Sequence, residues 1–498
     1  MNGMWALVAL LLTAAPGEDI AAARRAGNTQ RFTWVEWNAE AFAQARREKK
    51  VVLVDCAAEW CHWCHVMDET TYADADVGAW LRQNAITVRV DVDARPDLAD
   101  RYLEWGWPAT VLLTGEGEEL GKFRGYLPPE RLLAMLKSLD RTAPLTAIVE
   151  PIGTRIDTRY ARERLENFWD AKEGSWGLKR KVPIAMNVLW ELEGGSSERA
   201  RFTLEEQRAL LDPVWGGIYQ YSGAADWHSP HFEKLSSFQG LNLEAYARAA
   251  LVTGDASLLD DARGLRRYVM TFMRSKTGVF FTNQDADLNA HDRSRPFVDG
   301  ATYYALDDAE RRALGVPWVD THVYAGENGQ VISGLVAFAA ASGGGYDDAR
   351  TAADELARTH VASDGTVRHE ANSKGRTFLV DAALLGLAYA RLGAATGEAK
   401  YTALARRIAR RMVETFDSPE GLLFDVTADA DAVGVFARRP HSFAPNVTAA
   451  RLLAAVGDKA RGRKVVAALS AKQRLDDERA WLGDYLLAAR ELEDVSLR

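Results

Sequence analysis

Apolar and polar positions follow two different periods along the chain, and the change falls near residue 150. Between residues 31 and 140, short apolar runs alternate with amphipathic stretches. "FTWVEWNAEAFAQARREKK" reads as a helix with one apolar face. "VVLVDC" is a continuous β-branched run of the kind that forms a central strand. "VMDETTYADADVGAWLRQN" predicts a second helix and "AITVRVDVD" an alternating strand. "GWPATVLLTGEGEELGKFRGY" predicts two strands around a Gly-rich turn, and "PPERLLAMLKSL" a closing helix with proline at its start.

From residue 155 onward the period is helical. Ala-, Leu- and Arg-rich stretches are separated by glycine turns at Gly254, Gly343, Gly397 and Gly457. After the first three turns, a second helix runs into a Gly-led extended loop at Gly278, Gly365 and Gly421, and earlier copies of that loop are "GSWGLKRK" and "WGGIYQYSG". Helical hairpins repeated with their long loops on one side imply a solenoid or a closed ring. About a dozen helical segments suit six hairpins closed as an all-α (α/α)6 toroid, and an open superhelix is the alternative. The predicted layout is therefore an α/β domain at 31–140, an apolar linker at 141–154 and a toroid at 155–498.

Length and charge narrow the function. A chain of 498 residues is long enough for two or three domains. A net charge of −9 argues against a nucleic-acid partner, which would need a basic face. "MWALVALLLTAAPGE" is too short to span a bilayer but suits a signal-peptide apolar region, so residues 1–17 are expected to be a signal peptide or an N-terminal anchor. Export to the periplasm or beyond follows, with a cytoplasmic location as the alternative, and no membrane span is expected once a leader is removed. The linker "RTAPLTAIVEPIGT" is apolar rather than Gly/Ser-rich, which predicts packing against a surface and a fixed interface between the halves.

All three cysteines lie in "DCAAEWCHWCHVM". Cys61-His62-Trp63-Cys64-His65 has the spacing of a c-type haem attachment, of a redox pair, or of a zinc site using Cys61, Cys64 and His65. The surroundings decide among them. The succession of strands and helices, with C-x-x-C directly after the first predicted strand, resembles thioredoxin. "VDCAAEWCHWC" matches its V-D-F-x-A-x-W-C-x-x-C, and Trp107-Pro108 matches its cis-proline. In that frame Cys61 at a helix start has a lowered pKa and attacks a disulfide. Cys64 resolves the mixed disulfide, and buried Asp55 takes the proton of Cys64. The substrate would be a protein or small-molecule disulfide; no cofactor or metal is called for.

The second half carries its own chemistry-capable loops. Tyr221, Trp227, His231 and Glu233 cluster in "YQYSGAADWHSPHFEKL", with Trp215 just before it and Asp285 and Asp287 in "NQDADLNAHD". Carboxylates beside a histidine and flat aromatic faces suit a sugar ligand. Alternatively, His231 and Glu233 are buried partners bridging two hairpins. "DADLNAHDRSRP" fails as a calcium loop, with Ala290 where Gly is required and Pro296 where Glu is required. His228-x-x-His231 is a weak metal pair.

Together the halves resemble the spermatogenesis-associated thioredoxin-domain family, in which a thioredoxin-like domain precedes a six-hairpin glycosidase-like toroid. "CHWCHVM", "VDVDARPDLADRY", "GWPATVLL" and "GGIYQYSGAADWHSPHFEKL" carry the likeness. "GLKRKVP" matches a G-x-P-K-F-P motif, which places Lys181 at the toroid mouth. "DGATYYALDDAE" and "DTHVYAGENGQVISGL" extend the resemblance, although Glu327 stands where the family has Trp. The resemblance implies a thiol–disulfide oxidoreductase whose toroid binds a substrate or partner. A sugar epimerase or glycoside hydrolase with an accessory thioredoxin domain is the alternative, and a non-catalytic scaffold the third.

Overall fold

The computed structural model describes residues 16–27, 29–102, 106–145, 150–371 and 373–493. The expected leader therefore lies almost wholly outside the described residues. The chain is a thioredoxin-like α/β unit followed by a helical toroid.

The first unit is built on a five-stranded sheet in the order β1-β3-β2-β4-β5. The strands are β1 (Val35–Glu36), β2 (Val51–Ala57), β3 (Ala85–Asp91), β4 (Ala109–Leu113) and β5 (Glu119–Arg124). Strand β3 runs parallel to both β1 and β2, whereas β4 is antiparallel to β2 and to β5. The "VVLVDC" run is buried on both faces because both are covered. Val52, Val54 and Cys56 point into one apolar cluster, Val51 and Leu53 into the other. Helices α1 (Pro16–Arg25), α2 (Ala39–Glu48), α3 (His62–Val66), α4 (Ala75–Asn84), α5 (Pro96–Tyr102) and α6 (Pro129–Ser138) complete the unit.

Two boundaries depart from the periodicity. "FTWVEW" is not helical: Val35–Glu36 adds an edge strand, and Asn38 starts α2 by accepting from the Ala41 N–H, a cap worth about 1 kcal/mol. The long helix expected after the cysteines is broken. A π turn, Met67–Thr71, follows α3, and Asp74 caps a fresh helix by accepting from the N–H groups of Asp76 and Val77.

Twelve helices of the second unit alternate between an outer and an inner layer. The outer helices are α7 (Thr158–Glu166), α9 (Ser197–Gln207), α11 (Ala256–Tyr268), α13 (Asp347–Thr359), α15 (Ala399–Phe416) and α17 (Lys459–Leu469). The inner ones are α8 (Ala185–Gly194), α10 (Ser236–Thr253), α12 (Ala325–Ala341), α14 (Leu379–Thr396), α16 (Phe443–Ala455) and α18 (Gly483–Glu491). Each inner helix packs on the next, and α18 packs back on α8, so the ring closes and the open superhelix is excluded. Glycine permits the close approaches: a Cβ on Gly334 would lie 2.4 Å from the Gly240 carbonyl oxygen, and one on Gly483 would lie 2.5 Å from that of Met186. Helix α14 alone among the described residues is long and apolar enough to cross a membrane, but it is an inner-ring helix largely buried in the core.

The connector between the units is not buried as its composition predicts. Leu145 and Ile152 are 48% and 39% exposed. What pins the described parts is polar. The Leu145 N–H donates to the Glu119 carbonyl, the Gly153 N–H donates to that of Ala468, and the Arg474 Nε donates to that of Pro151. Residues 146–149 lie outside the described set.

Candidate functional site: the seam between redox helix and toroid

Cys61 caps the start of α3, and its Sγ accepts from the Cys64 N–H at 3.2 Å. The two cysteines are joined as a disulfide and are 4% and 5% exposed. Trp107-Pro108 is a cis peptide immediately before β4, and Trp63 and Trp107 pack on the apolar cluster that holds both cysteines. Asp55 is buried on the other face of β2. It accepts from Arg89 Nε at 3.1 Å and from the Tyr72 hydroxyl at 3.2 Å. Burial lifts its pKa to about 6 against the pull of Arg89. Arg89 and Tyr72 were not singled out from the sequence, although Arg89 sits directly across from Asp55 in the β2–β3 register.

Small antiparallel pairings fix the toroid loops around the start of α3. Lys234–Leu235, Asn283–Gln284 and Val319–Asp320 form a three-stranded sheet, which aligns Glu233, Asp285 and Asp320 near the starts of α10 and α12. This mouth receives the redox unit. His62, between the two cysteines, places Nδ1 2.5 Å from Asp287 Oδ2, and its backbone N–H donates to Glu233 Oε1 at 3.3 Å. Further along the seam, Asn283 Nδ2 donates to Asp93 Oδ2 at 2.8 Å, and His369 Nε2 lies 2.8 Å from the Asp93 carbonyl oxygen.

The electrostatics follow from this closeness. Burial alone would lower the pKa of His62, but Asp287, with Glu233 behind it, outweighs burial and carries it up to about 9. For Asp287, burial is likewise overcome by His62, so its carboxyl stays below the usual range. Burial lifts Glu233 to about 7; among the described residues its Oε2 has no hydrogen-bond partner. His231 stacks on Tyr221 at 4.1 Å, and burial together with the charge of His62 pushes it down to about 4. His62 is thus held as an imidazolium through neutral pH, one residue from Cys61.

The predicted toroid residues do not all meet here. Glu233, Asp287, His231 and Tyr221 gather around His62, and Asp285 sits beside Asp287, accepting its N–H at 2.8 Å. Lys181 is elsewhere and fully buried, its Nζ held by Asp170 at 2.6 Å and the Gly177 carbonyl at 2.8 Å. Trp227 is a core residue rather than a cleft wall: it is 1% exposed and its Nε1 donates to the Glu173 carbonyl. Trp215 packs with Tyr219, Tyr303 and Tyr304 and donates to Asp308. A tryptophan beside glycine looks alike in sequence whether it lines a cleft or fills a core.

Several known proteins are similar to parts of this chain. Residues 24–155 match the family described as Thioredox_DsbH, a protein of unknown function. The chain is 28% identical to spermatogenesis-associated protein 20 of Homo sapiens over 324 residues, 54% of this chain and 41% of that protein. The match thus spans about two-fifths of the curated relative's length. It is 34% identical to thiol:disulfide interchange protein DsbD 2 of Pseudomonas aeruginosa over 137 residues, 24% of this chain and 23% of that one. Among solved structures, the cellobiose 2-epimerase of Bacillus thermoamylovorans aligns with a TM-score of 0.47 at 12% identity, over 64% of this chain and 85% of that one. Fold and site define a thioredoxin-like unit fused to a closed all-α toroid. The chain is similar to the spermatogenesis-associated protein over 54% of its own length.

Proposed function

We propose that the chain is a thiol–disulfide oxidoreductase whose toroid covers and conditions the redox pair. The observation that carries this reading is the Cys61–Cys64 disulfide at the start of α3, directly after the central strand of a thioredoxin-like sheet. The likeness to a thiol:disulfide interchange protein supports it. In the reducing direction, the Cys61 thiolate attacks one sulfur of a protein or small-molecule disulfide. A mixed disulfide forms and one substrate thiolate leaves. Cys64 then attacks Cys61 Sγ, expelling the second substrate thiolate and closing the internal disulfide, so two electrons pass to the substrate. Among the described residues Asp55 bonds to Arg89 and Tyr72 and to neither cysteine, so the Cys64 proton would reach it through an intervening group. Such a pair suits an oxidising, exported compartment. A sugar-processing role would need the mouth carboxylates turned toward an open cleft, whereas Glu233 and Asp287 face His62.

The test uses the reduced full chain with a model disulfide. Cys64→Ser should accumulate a mixed disulfide on Cys61, and Cys61→Ser should abolish turnover. Full reductase activity in Cys61→Ser, or a Cys61 no more reactive toward iodoacetamide near neutral pH than a free peptide thiol, would overturn the proposal.

A further inference from the structure

A second group of side chains spans the same seam and takes no part in the redox chemistry. His65 lies in α3, directly after Cys64. Asp285 and His291 come from the toroid loop after Asn283–Gln284, part of the segment that fails as a calcium loop. One ligand atom from each of the three lies within 4.8 Å of the other two. Both rings converge on the same oxygen: Asp285 Oδ2 is 3.0 Å from His291 Nε2 and 3.7 Å from His65 Nε2. Ligand atoms held about 2.0–2.1 Å from a tetrahedral ion stand about 3.3 Å apart, so these separations are on the scale of one coordination shell.

The surroundings hold the three groups in place. Asp285 Oδ1 accepts the Asp287 N–H at 2.8 Å, which orients the carboxylate and leaves Oδ2 facing the rings. Glu59 contacts both histidines. Its side-chain Oε2 is 3.4 Å from His291 Nδ1, and its carbonyl oxygen is 2.9 Å from His65 Nε2. A carboxylate behind a histidine ring is the arrangement that sets tautomer and orientation in metal sites. His65 Nδ1 is buried and has no hydrogen-bond partner among the described residues. With an ion bound, His65 Nε2 exchanges the Glu59 carbonyl for the metal, and the ring proton resides on Nδ1. Asp285 is wholly buried, and a dication would compensate its charge.

We propose that His65, Asp285 and His291 form a binding site for a divalent transition-metal ion of the zinc class, which pins the redox helix to the toroid. Two imidazoles and one carboxylate suit such an ion, and three protein ligands leave one position for water. The proposal does not depend on the redox reading, because the ligands are not the cysteines.

The test uses the oxidised full chain, so that the pair is locked as a disulfide, stripped with chelator and titrated with Zn(II) and Co(II). Binding of one ion per chain is expected, with a zinc-dependent rise in Tm and a Co(II) spectrum free of thiolate charge-transfer bands. His291 has a side chain 30% exposed, so His291→Ala is tolerated by the fold and should weaken binding more than 100-fold. Glu59→Gln should weaken it roughly 10- to 100-fold, while His228→Ala, at an exposed position, should change nothing. Wild-type chain that retains no ion, a His291→Ala variant that binds and is stabilised as wild type is, or a thiolate band in the Co(II) spectrum would each overturn the assignment.

Discussion

His62 Nδ1 lies 2.5 Å from Asp287 Oδ2, and this contact joins the dipeptide inside the C-x-x-C pair to a loop of the toroid more than two hundred residues away. Both partners are nearly inaccessible to water, with side chains 11% and 1% exposed. A buried pair contributes modestly as a pair, but removing one member strands the other's charge, at a cost of about 3–5 kcal/mol.

That asymmetry gives the first prediction. His62→Ala and Asp287→Asn should each destabilise the chain by roughly 3 kcal/mol in chemical denaturation, and the double variant by clearly less than the sum. Additive losses would mean that the two side chains do not depend on each other.

Asp55 gives a pH prediction. Burial raises its folded pKa to about 6, above the unfolded value near 3.8, so the folded state binds the proton more tightly. Stability from this group is therefore full below about pH 4, falls as pH rises to about 6, and is flat beyond. Asp55→Asn should flatten that window and leave the chain more stable at pH 7 by at most roughly 3 kcal/mol. If Asp55 accepts the Cys64 proton, disulfide turnover should also rise through pH 6 in the wild type and lose that limb in the variant. A variant with an unchanged stability profile would place the ionisation elsewhere.

Strands and the redox turn were legible in sequence because each rests on local pattern: "VVLVDC" can hardly be anything but a buried strand, and C-x-x-C marks the helix that follows it. The hairpin repeat was legible because three of the glycine turns are each followed by a Gly-led loop at nearly the same distance, 24 (278 − 254), 22 (365 − 343) and 24 (421 − 397) residues. The seam was not. Nothing local to "CHWCH" states that His62 will meet Asp287, or that His65 will face Asp285 and His291, since those meetings depend on how one folded unit sits on another. Asp285, Asp287 and Glu233 were picked out for their chemistry, yet their partner proved to be the protein's own redox helix. Lys181 and Trp227 were picked out by motif, and side-chain burial, which a motif does not encode, placed them in the interior.

Gly434 supplies a prediction about access to the redox pair. Its φ is +56°, and a Cβ there would lie 2.3 Å from the Gly117 carbonyl oxygen and 2.4 Å from that of Glu116, in the turn between β4 and β5. The neighbouring Val435 N–H donates to the Gly117 carbonyl at 3.0 Å, so backbone meets backbone across the seam. Val433 and Phe436, on either side, pack on the apolar cluster that contains Cys61 and Cys64. Substituting Gly434→Val adds both a disfavoured φ and a clash that no side-chain rotation relieves, at a cost of about 1–3 kcal/mol. That strain should fall on the seam, because the strand pairings of each unit do not include residue 434. Local opening should then become about tenfold more frequent for each 1.4 kcal/mol, and the reduced cysteines, 4–5% exposed in the closed chain, should be alkylated faster by a neutral reagent in proportion. Amide exchange at Val435 should accelerate with it, while exchange within β2 and β3 stays as in the wild type. Unchanged alkylation alongside accelerated exchange at Val435 would show that the pair is reached by a route the toroid does not guard.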